Sequence, residues 1–190
     1  MITTDDKELA NRMMRLRVHG DVGGYDHIEV GLNSRLDALQ AAVLRIKLRH
    51  LEDWSTGRRT NSEKYRELFD QYGLDGYFER PPIFADRKHV FNQYTVRVPN
   101  GHRDAVVKYL RERQVGCGVY YPKPLHLQTC FEYLGYKAGD LPVSEQACRE
   151  VMSLPIFAEL ADSQLEIVAQ SLCDAAAEVI NGGQEFRKAA

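Results

Sequence analysis

The chain has 190 residues, 44% hydrophobic and 27% charged, with 25 Lys and Arg against 27 Asp and Glu for a formal charge of −2. A chain of this length buries about 70% of its unfolded surface, so it folds as one domain, or one domain with an appendage, without disulfide or metal staples. Near balance of charge excludes a grossly polyanion-binding composition, no apolar run approaches the roughly 20 residues that span a bilayer, and the first residues lack the apolar stretch of a signal peptide. The expectation is a cytoplasmic protein with neither nucleic acid nor membrane as partner.

In chain order, Met1-Ile2-Thr3-Thr4 is β-rich and reads as a strand, with Thr4 or Asp5 placed to cap a helix. Leu9, Met13 and Leu16 follow at helical spacing. Val18 to Asn33 is turn-rich, with Gly20, Gly23, Gly24 and Gly31. Ser34 and Asp37 form an S-x-x-D variant of the capping box. Leu36, Leu39, Val43, Ile46 and Leu51 then make an apolar stripe that predicts the longest helix, continuing past Trp54 to Phe69 and Tyr72 with Gly73 as its stop. Phe91 to Val98 reads as a strand with Tyr94, Val96 and Val98 inward, and Pro99-Asn100-Gly101 turns the chain. A helix with Val106, Val107 and Leu110 inward leads to a second expected strand, Val115–Tyr121. Pro122 to Gly139 is a long structured loop. Helices Pro142–Met152 and Ser163–Ile180, separated by Ser153-Leu154-Pro155, precede a polar tail from Asn181. The order suggests an α+β layer, a short sheet with flanking helices.

Cys117, Cys130, Cys148 and Cys173 show no C-x-x-C pairing and no His at zinc-finger spacing. They read as reduced thiols used as small hydrophobes, with a metal site or disulfides as the alternatives. Arg45, Lys47, Arg49, His50, Arg58 and Arg59 are interleaved with Glu52, Asp53 and Glu63 and read as a solvated helix face rather than a nucleic-acid patch.

Three groups of residues could carry chemistry. Gly31-Leu32-Asn33-Ser34-Arg35 stands at the expected mouth of the long helix, where unpaired N–H groups and the dipole suit a phosphate, with Asn33 and Arg35 as added donors. A plain N-cap after a glycine turn explains the same residues. Tyr120-Tyr121-Pro122-Lys123-Pro124-Leu125-His126 places two phenols, an amine and an imidazole on a proline-stiffened loop, either a binding loop or a surface loop with core tyrosines. His19-Gly20 with Tyr25-Asp26-His27 could form a His–carboxylate pair, though structural hydrogen bonding is the simpler reading. No G-x-x-x-x-G-K-[ST], G-x-S-x-G or H-E-x-x-H occurs.

These same residues carry a family resemblance. Arg17-x-His19-Gly20, Tyr25-Asp26-His27, and Gly31-x-Asn33-Ser34-Arg35-Leu36-Asp37-Ala38-Leu39-Gln40-Ala41-Ala42 resemble the DegT/DnrJ/EryC1/StrS aminotransferases. Asn92-Gln93-Tyr94, Tyr120-Tyr121-Pro122-x-Pro124-Leu125-His126-x-Gln128, Gly135-Tyr136, Gly139-Asp140-Leu141-Pro142 and Ser153-Leu154-Pro155 match in order. The resemblance covers about residues 1–175. It implies a pyridoxal-phosphate (PLP) enzyme that moves an amino group, commonly from glutamate, to a nucleotide-linked keto sugar.

The resemblance also implies what the chain omits. Family members are about twice this length, and the lysine that forms the Schiff base and the aspartate that holds the pyridine nitrogen belong to the missing N-terminal half. The implied assignment is residues 1–33 as a remnant of the large PLP-binding domain with its interface loop, residues 34–180 as the small C-terminal domain of a fold-type I aminotransferase, and residues 181–190 as a frayed tail. Asn33 is implied to reach a partner subunit's PLP phosphate. Arg35, Tyr121 and His126 are implied near the nucleotide sugar. The partner is then a homodimer mate or the missing half, and the isolated chain is expected to be catalytically silent. The alternative is a non-catalytic oligomerising or nucleotide-sugar-binding module.

Overall fold

The computed structural model describes residues 2–182, so Met1 of the expected first strand and residues 183–190 of the expected tail lie outside the described residues. Contacts divide the chain into two compact units, Met1–Leu51 and Glu52–Ala190. No helix among the described residues is long and apolar enough to cross a membrane.

In the first unit, residues 2–4 form no strand, because no neighbouring strand pairs with them. The cap of α1 (Lys7–Leu16) is Asp6, not Thr4 or Asp5: its carboxylate accepts the N–H groups of Glu8 and Leu9, and Thr4 supports Asp6 in turn. The glycine-rich run then folds back on the end of α1. Leu32 N–H donates to the Leu16 carbonyl at 2.7 Å, and Ser34 N–H to that of Arg17 at 2.9 Å. Val18 and Asn33 form a bridge. This return passes so close that a Cβ on Gly31 would stand 2.4 Å from the Gly20 nitrogen, so both positions need glycine. Glu29 holds the return in place, accepting from Arg12 at 3.0 Å and Arg15 at 3.1 Å.

The next helix corrects the sequence reading. Helix α2 spans Ala38–Leu48, and its N-cap is Asp37, which accepts the Leu39 N–H at 2.8 Å. Ser34 opens no helix: Asn33 before it is bridged to Val18, residues 34–37 make no helical turn, and Asp37 takes the N-cap. Nor does one helix run from Ser34 to Tyr72. Tight bonds from Arg49 to Ile46 and from His50 to Lys47 close α2, and α3 (Leu51–Tyr72), at 22 residues, is the longest element.

The second unit is built around α3, which turns Tyr65, Phe69 and Tyr72 inward and stops, as expected, at a left-handed Gly73. Strand β1 (Tyr94–Arg97) is shorter than expected, but Tyr94, Val96 and Val98 are buried as read. Phe69 meets both Phe78 and Tyr94 edge-on at 6.5 Å, and Tyr65 lies 4.9 Å from Tyr94. Helix α4 (Arg103–Glu112) buries Val106, Val107 and Leu110.

Val115–Tyr121 does not form the second strand. Only Gly118 bridges, to Ser153. The partner of β1 is β2 (Val151–Leu154), antiparallel, pairing Tyr94 with Leu154 and Val96 with Met152. Helix α5 (Pro142–Glu150) therefore ends before Met152, and Ser153 is a strand residue rather than a separator. The reason lies in partners far along the chain. Arg103 grips the Val151 carbonyl at 2.8 Å, Ser153 exchanges hydrogen bonds with Gly118, and its hydroxyl meets Thr95 at 2.9 Å. Helix α6 (Asp162–Ala175) closes the core with Leu165, Val168, Ala169 and Leu172, and widens into a looser turn at Ala176–Ile180.

Arg97 on β1 reaches the nearly buried Glu150 at the end of α5, its Nε donating at 3.0 Å. Burial alone would raise the Glu150 carboxyl pKa, but the Gln146 amide and Arg97 outweigh it and hold the pKa below its ordinary 4.5. The folded-state pKa is depressed, so this contribution to stability is present at neutral pH and is lost as pH falls below about 4.5. We expect Glu150→Gln to melt below the native chain at pH 7 and the gap to narrow steadily as pH falls below about 4.5. A gap that stays constant as the pH is lowered through the carboxylate range would show that the ion pair adds nothing.

Candidate functional site

Asn33 and Arg35 lie together in the first unit, and Tyr121 and His126 lie on one loop of the second. Asn33 does not stand at a helix mouth, contrary to expectation. Asp37 occupies the N-cap, so the N–H groups at the start of α2 do not serve the Gly31–Arg35 run. Asn33 is instead fixed by its backbone bridge to Val18 and by Arg35, whose Nε donates to its Oδ1 at 3.1 Å. With Oδ1 used, the Asn33 amide hydrogens have no partner among the described residues, and the Arg35 guanidinium stands beside them. Both side chains are exposed. An amide donor next to a planar cation suits an anionic oxygen.

The rest of the first unit is unusually apolar outside. No residue of α2 is buried. Val30 is 98% exposed and Leu39 79%. A groove of about 670 Å³ is lined by Ile2, Met13, Met14, Leu16 and Leu32. His27 turns its Nδ1 to the His19 carbonyl oxygen at 3.1 Å, so the pairing there is to backbone and not to a carboxylate.

In the second unit, a cleft of about 430 Å³ opens beside β2. Its wall brings together Asn92, Gln93, Gly118, Tyr120, Ser153 and Pro155. A Cβ at Gly118 would meet the Tyr120 ring at 2.6 Å, so the phenol folds back over the chain in the space a larger residue would take. Among the described residues no charged side chain lines the cleft. Amides, a hydroxyl and a phenol can hydrogen-bond a neutral polyhydroxylated ligand and stack on its ring, but they offer no counter-ion.

Tyr121 is 70% exposed at the start of the following loop. His126, by contrast, is buried. Its Nε2 lies 3.1 Å from Glu145 Oε1, and its ring meets Tyr136 edge-on at 6.1 Å. The same carboxylate oxygen accepts the Gly139 N–H at 2.8 Å. That backbone bond, joined by His126 and the Leu141 N–H against the opposing effect of burial, holds the Glu145 carboxyl below its ordinary range. Sequence reasoning missed Glu145. The available signal was an acidic residue in the first turn of a helix opened by Pro142, which also reads as simple dipole complementation.

The basic run is taken up locally where the structure shows its partners. Arg59 pairs with Glu52 at 3.2 Å, and Arg58 donates to the Val90 carbonyl at 3.0 Å. The four cysteines are thiols, not disulfides, and burial pushes the Cys117 pKa up. Among the described residues no lysine lines the cleft; Lys64 and Lys88 are engaged with Asp162 and Glu52. The residues present do not fit a complete PLP site, which needs an amine for the aldehyde and a carboxylate for the pyridine nitrogen.

Residues 1–173 match the DegT/DnrJ/EryC1/StrS aminotransferase family. A pleiotropic regulatory protein of Geobacillus stearothermophilus is 42% identical over 174 residues, 92% of this chain and 46% of that protein. A dTDP-3-amino-3,4,6-trideoxy-alpha-D-glucose transaminase of Micromonospora megalomicea subsp. nigra is 37% identical over 188 residues, 95% of this chain and 47% of that protein. Among solved structures, DesV of S. venezuelae superposes with a TM-score of 0.77 at 35% identity, covering 92% of this chain and 46% of DesV. The chain thus spans about half the length of the relatives it matches.

Proposed function

This chain belongs to the DegT/DnrJ/EryC1/StrS aminotransferase family, and we propose that it supplies the C-terminal half of a PLP-dependent enzyme that transfers an amino group from an amino acid, glutamate first among candidates, to a nucleotide-linked keto sugar. One observation carries the reading. Three motif pieces far apart in the sequence, Asn92-Gln93, Tyr120 and Ser153-Leu154-Pro155, converge on one uncharged cleft of a shape and chemistry suited to a sugar. The name of the Micromonospora relative, a dTDP-sugar transaminase, points the same way.

In this proposal residues 1–33 are the remnant of the large domain with its interface loop, and residues 34–180 the small domain. Asn33 donates to the PLP phosphate held by a partner, and Arg35, Tyr121 and His126 serve the nucleotide sugar. PLP supplies the electron sink for amino transfer when bound, and this chain's part is to position phosphate and sugar. The exposed apolar residues of the first unit favour a covering partner, either a second copy or the missing half.

The isolated chain should be silent. Mixed with PLP and reduced with borohydride, it is expected to give no stoichiometric adduct, only sparse labelling spread over exposed lysines by mass spectrometry. One lysine labelled stoichiometrically would mean that this chain builds a complete cofactor site, and the half-enzyme reading would fall.

A further inference from the structure

We propose that Glu145 is the positioning residue of the loop that presents Tyr121, tying both ends of the 122–141 segment to α5 through a single carboxylate oxygen. The segment has no strand to fix it, only short tight turns at Leu125–Leu127 and Thr129–Leu134. Its buried residues are Pro124 and His126 near one end, and the remainder is half-buried or exposed. Glu145 Oε1 accepts from His126 near that end and from the Gly139 N–H near the other. One side chain on a regular helix thereby closes the loop, in the way a supporting residue fixes the geometry of a site it does not touch.

The arrangement also sets a tautomer. The oxygen already accepts the Gly139 N–H, and an ionised carboxylate has nothing to donate, so His126 must carry its proton on Nε2. In the neutral ring Nδ1 is then an acceptor, and it is buried without a partner among the described residues. Removing Glu145 frees the ring to exchange tautomers as well as freeing the loop. The link to function rests on the reading above, that Tyr121 meets the nucleotide sugar.

The test uses the full chain and the variants Glu145→Ala, Glu145→Gln and His126→Ala. In Glu145→Ala the Gly139 amide should exchange hydrogen roughly tenfold faster or more, the effect of losing one charge-assisted bond, while amides of α6 stay protected. Glu145→Gln retains an oxygen able to accept both bonds and should restore protection. Nitrogen-15 spectra of the imidazoles in alkaline buffer should show His126 protonated on Nε2 in the native chain and a tautomer mixture in Glu145→Ala. The affinity for dTDP-glucose, used as the probe, should fall about fivefold or more in Glu145→Ala and recover in Glu145→Gln. A native His126 protonated on Nδ1, or a Gly139 amide indifferent to Glu145→Ala, overturns the proposal. If Glu145→Ala does not fold, His126→Ala decides: faster exchange confined to the loop supports the tie, and unchanged exchange overturns it. A native chain that does not bind dTDP-glucose counts against the substrate reading, while exchange and tautomer still decide the role of Glu145.

Discussion

Phe69→Ala should destabilise the second unit by about 3–5 kcal/mol, a large share of the roughly 5–15 kcal/mol that holds a domain folded. Phe69 is fully buried in the aromatic group formed by α3, Phe78 and Tyr94. The Arg80 guanidinium lies 5.9 Å from its ring centre. Truncation leaves a cavity that neighbouring rings cannot fill without abandoning their edge-on contacts, so the lost transfer energy and the cavity act together. Urea denaturation followed by far-UV dichroism checks this. A change below about 1 kcal/mol with an unchanged denaturant slope would mean that the core closes over the gap and is looser than its burial implies.

Asn33→Ala should weaken retention of PLP roughly ten- to 150-fold when the chain is combined with the N-terminal half of a relative, corresponding to about 1.5–3 kcal/mol for one charge-assisted hydrogen bond. The expectation rests on the proposed role of Asn33, supported by a different geometry from the one its sequence position suggests. Its backbone is bridged to Val18 and its Oδ1 is held by Arg35, so its amide hydrogens are oriented before any phosphate arrives. In the isolated chain the same substitution removes an exposed side chain and should shift stability by less than about 1 kcal/mol. Equilibrium dialysis of PLP from the combined protein, beside thermal melts of the chain alone, separates the two effects. Unchanged retention with a large loss of stability would make Asn33 a purely structural residue of the return loop.

What the sequence made legible was whatever local chemistry decides. The reach of the helical pattern to Phe69 and Tyr72, the stop at Gly73 and the inward Val106, Val107 and Leu110 follow from helical periodicity and glycine's left-handed backbone. What it hid depended on distant partners. Val151-Met152-Ser153-Leu154 continues from α5 with no breaker between them, and it becomes a strand because β1, Arg103 and Gly118 are there to pair with it. Val115–Tyr121 had the composition of a strand, but among the described residues only Gly118 found a strand to bridge. Ser34 had the form of a cap, but the chain there runs back along Arg17 and Val18 and turns helical only after Asp37. In the candidate site the motifs were visible one by one. Their convergence on a cleft, and the carboxylate that ties His126, needed the fold.

The pairing of β1 with β2 has a consequence for how this chain is made. Thr95 and Ser153, hydrogen-bonded in the middle of the sheet, are 58 residues apart in sequence. During synthesis α3, Phe78 and β1 leave the ribosome long before β2, and one edge of Tyr94–Arg97 waits unpaired while the aromatic residues beside it lack their cover. At ordinary elongation speed that interval lasts roughly 3–12 s. A stop codon placed before Val151 would make the waiting state permanent, leaving a ribosomal product with an open strand edge and an uncovered aromatic cluster, a natural substrate for chaperones and a seed for aggregation.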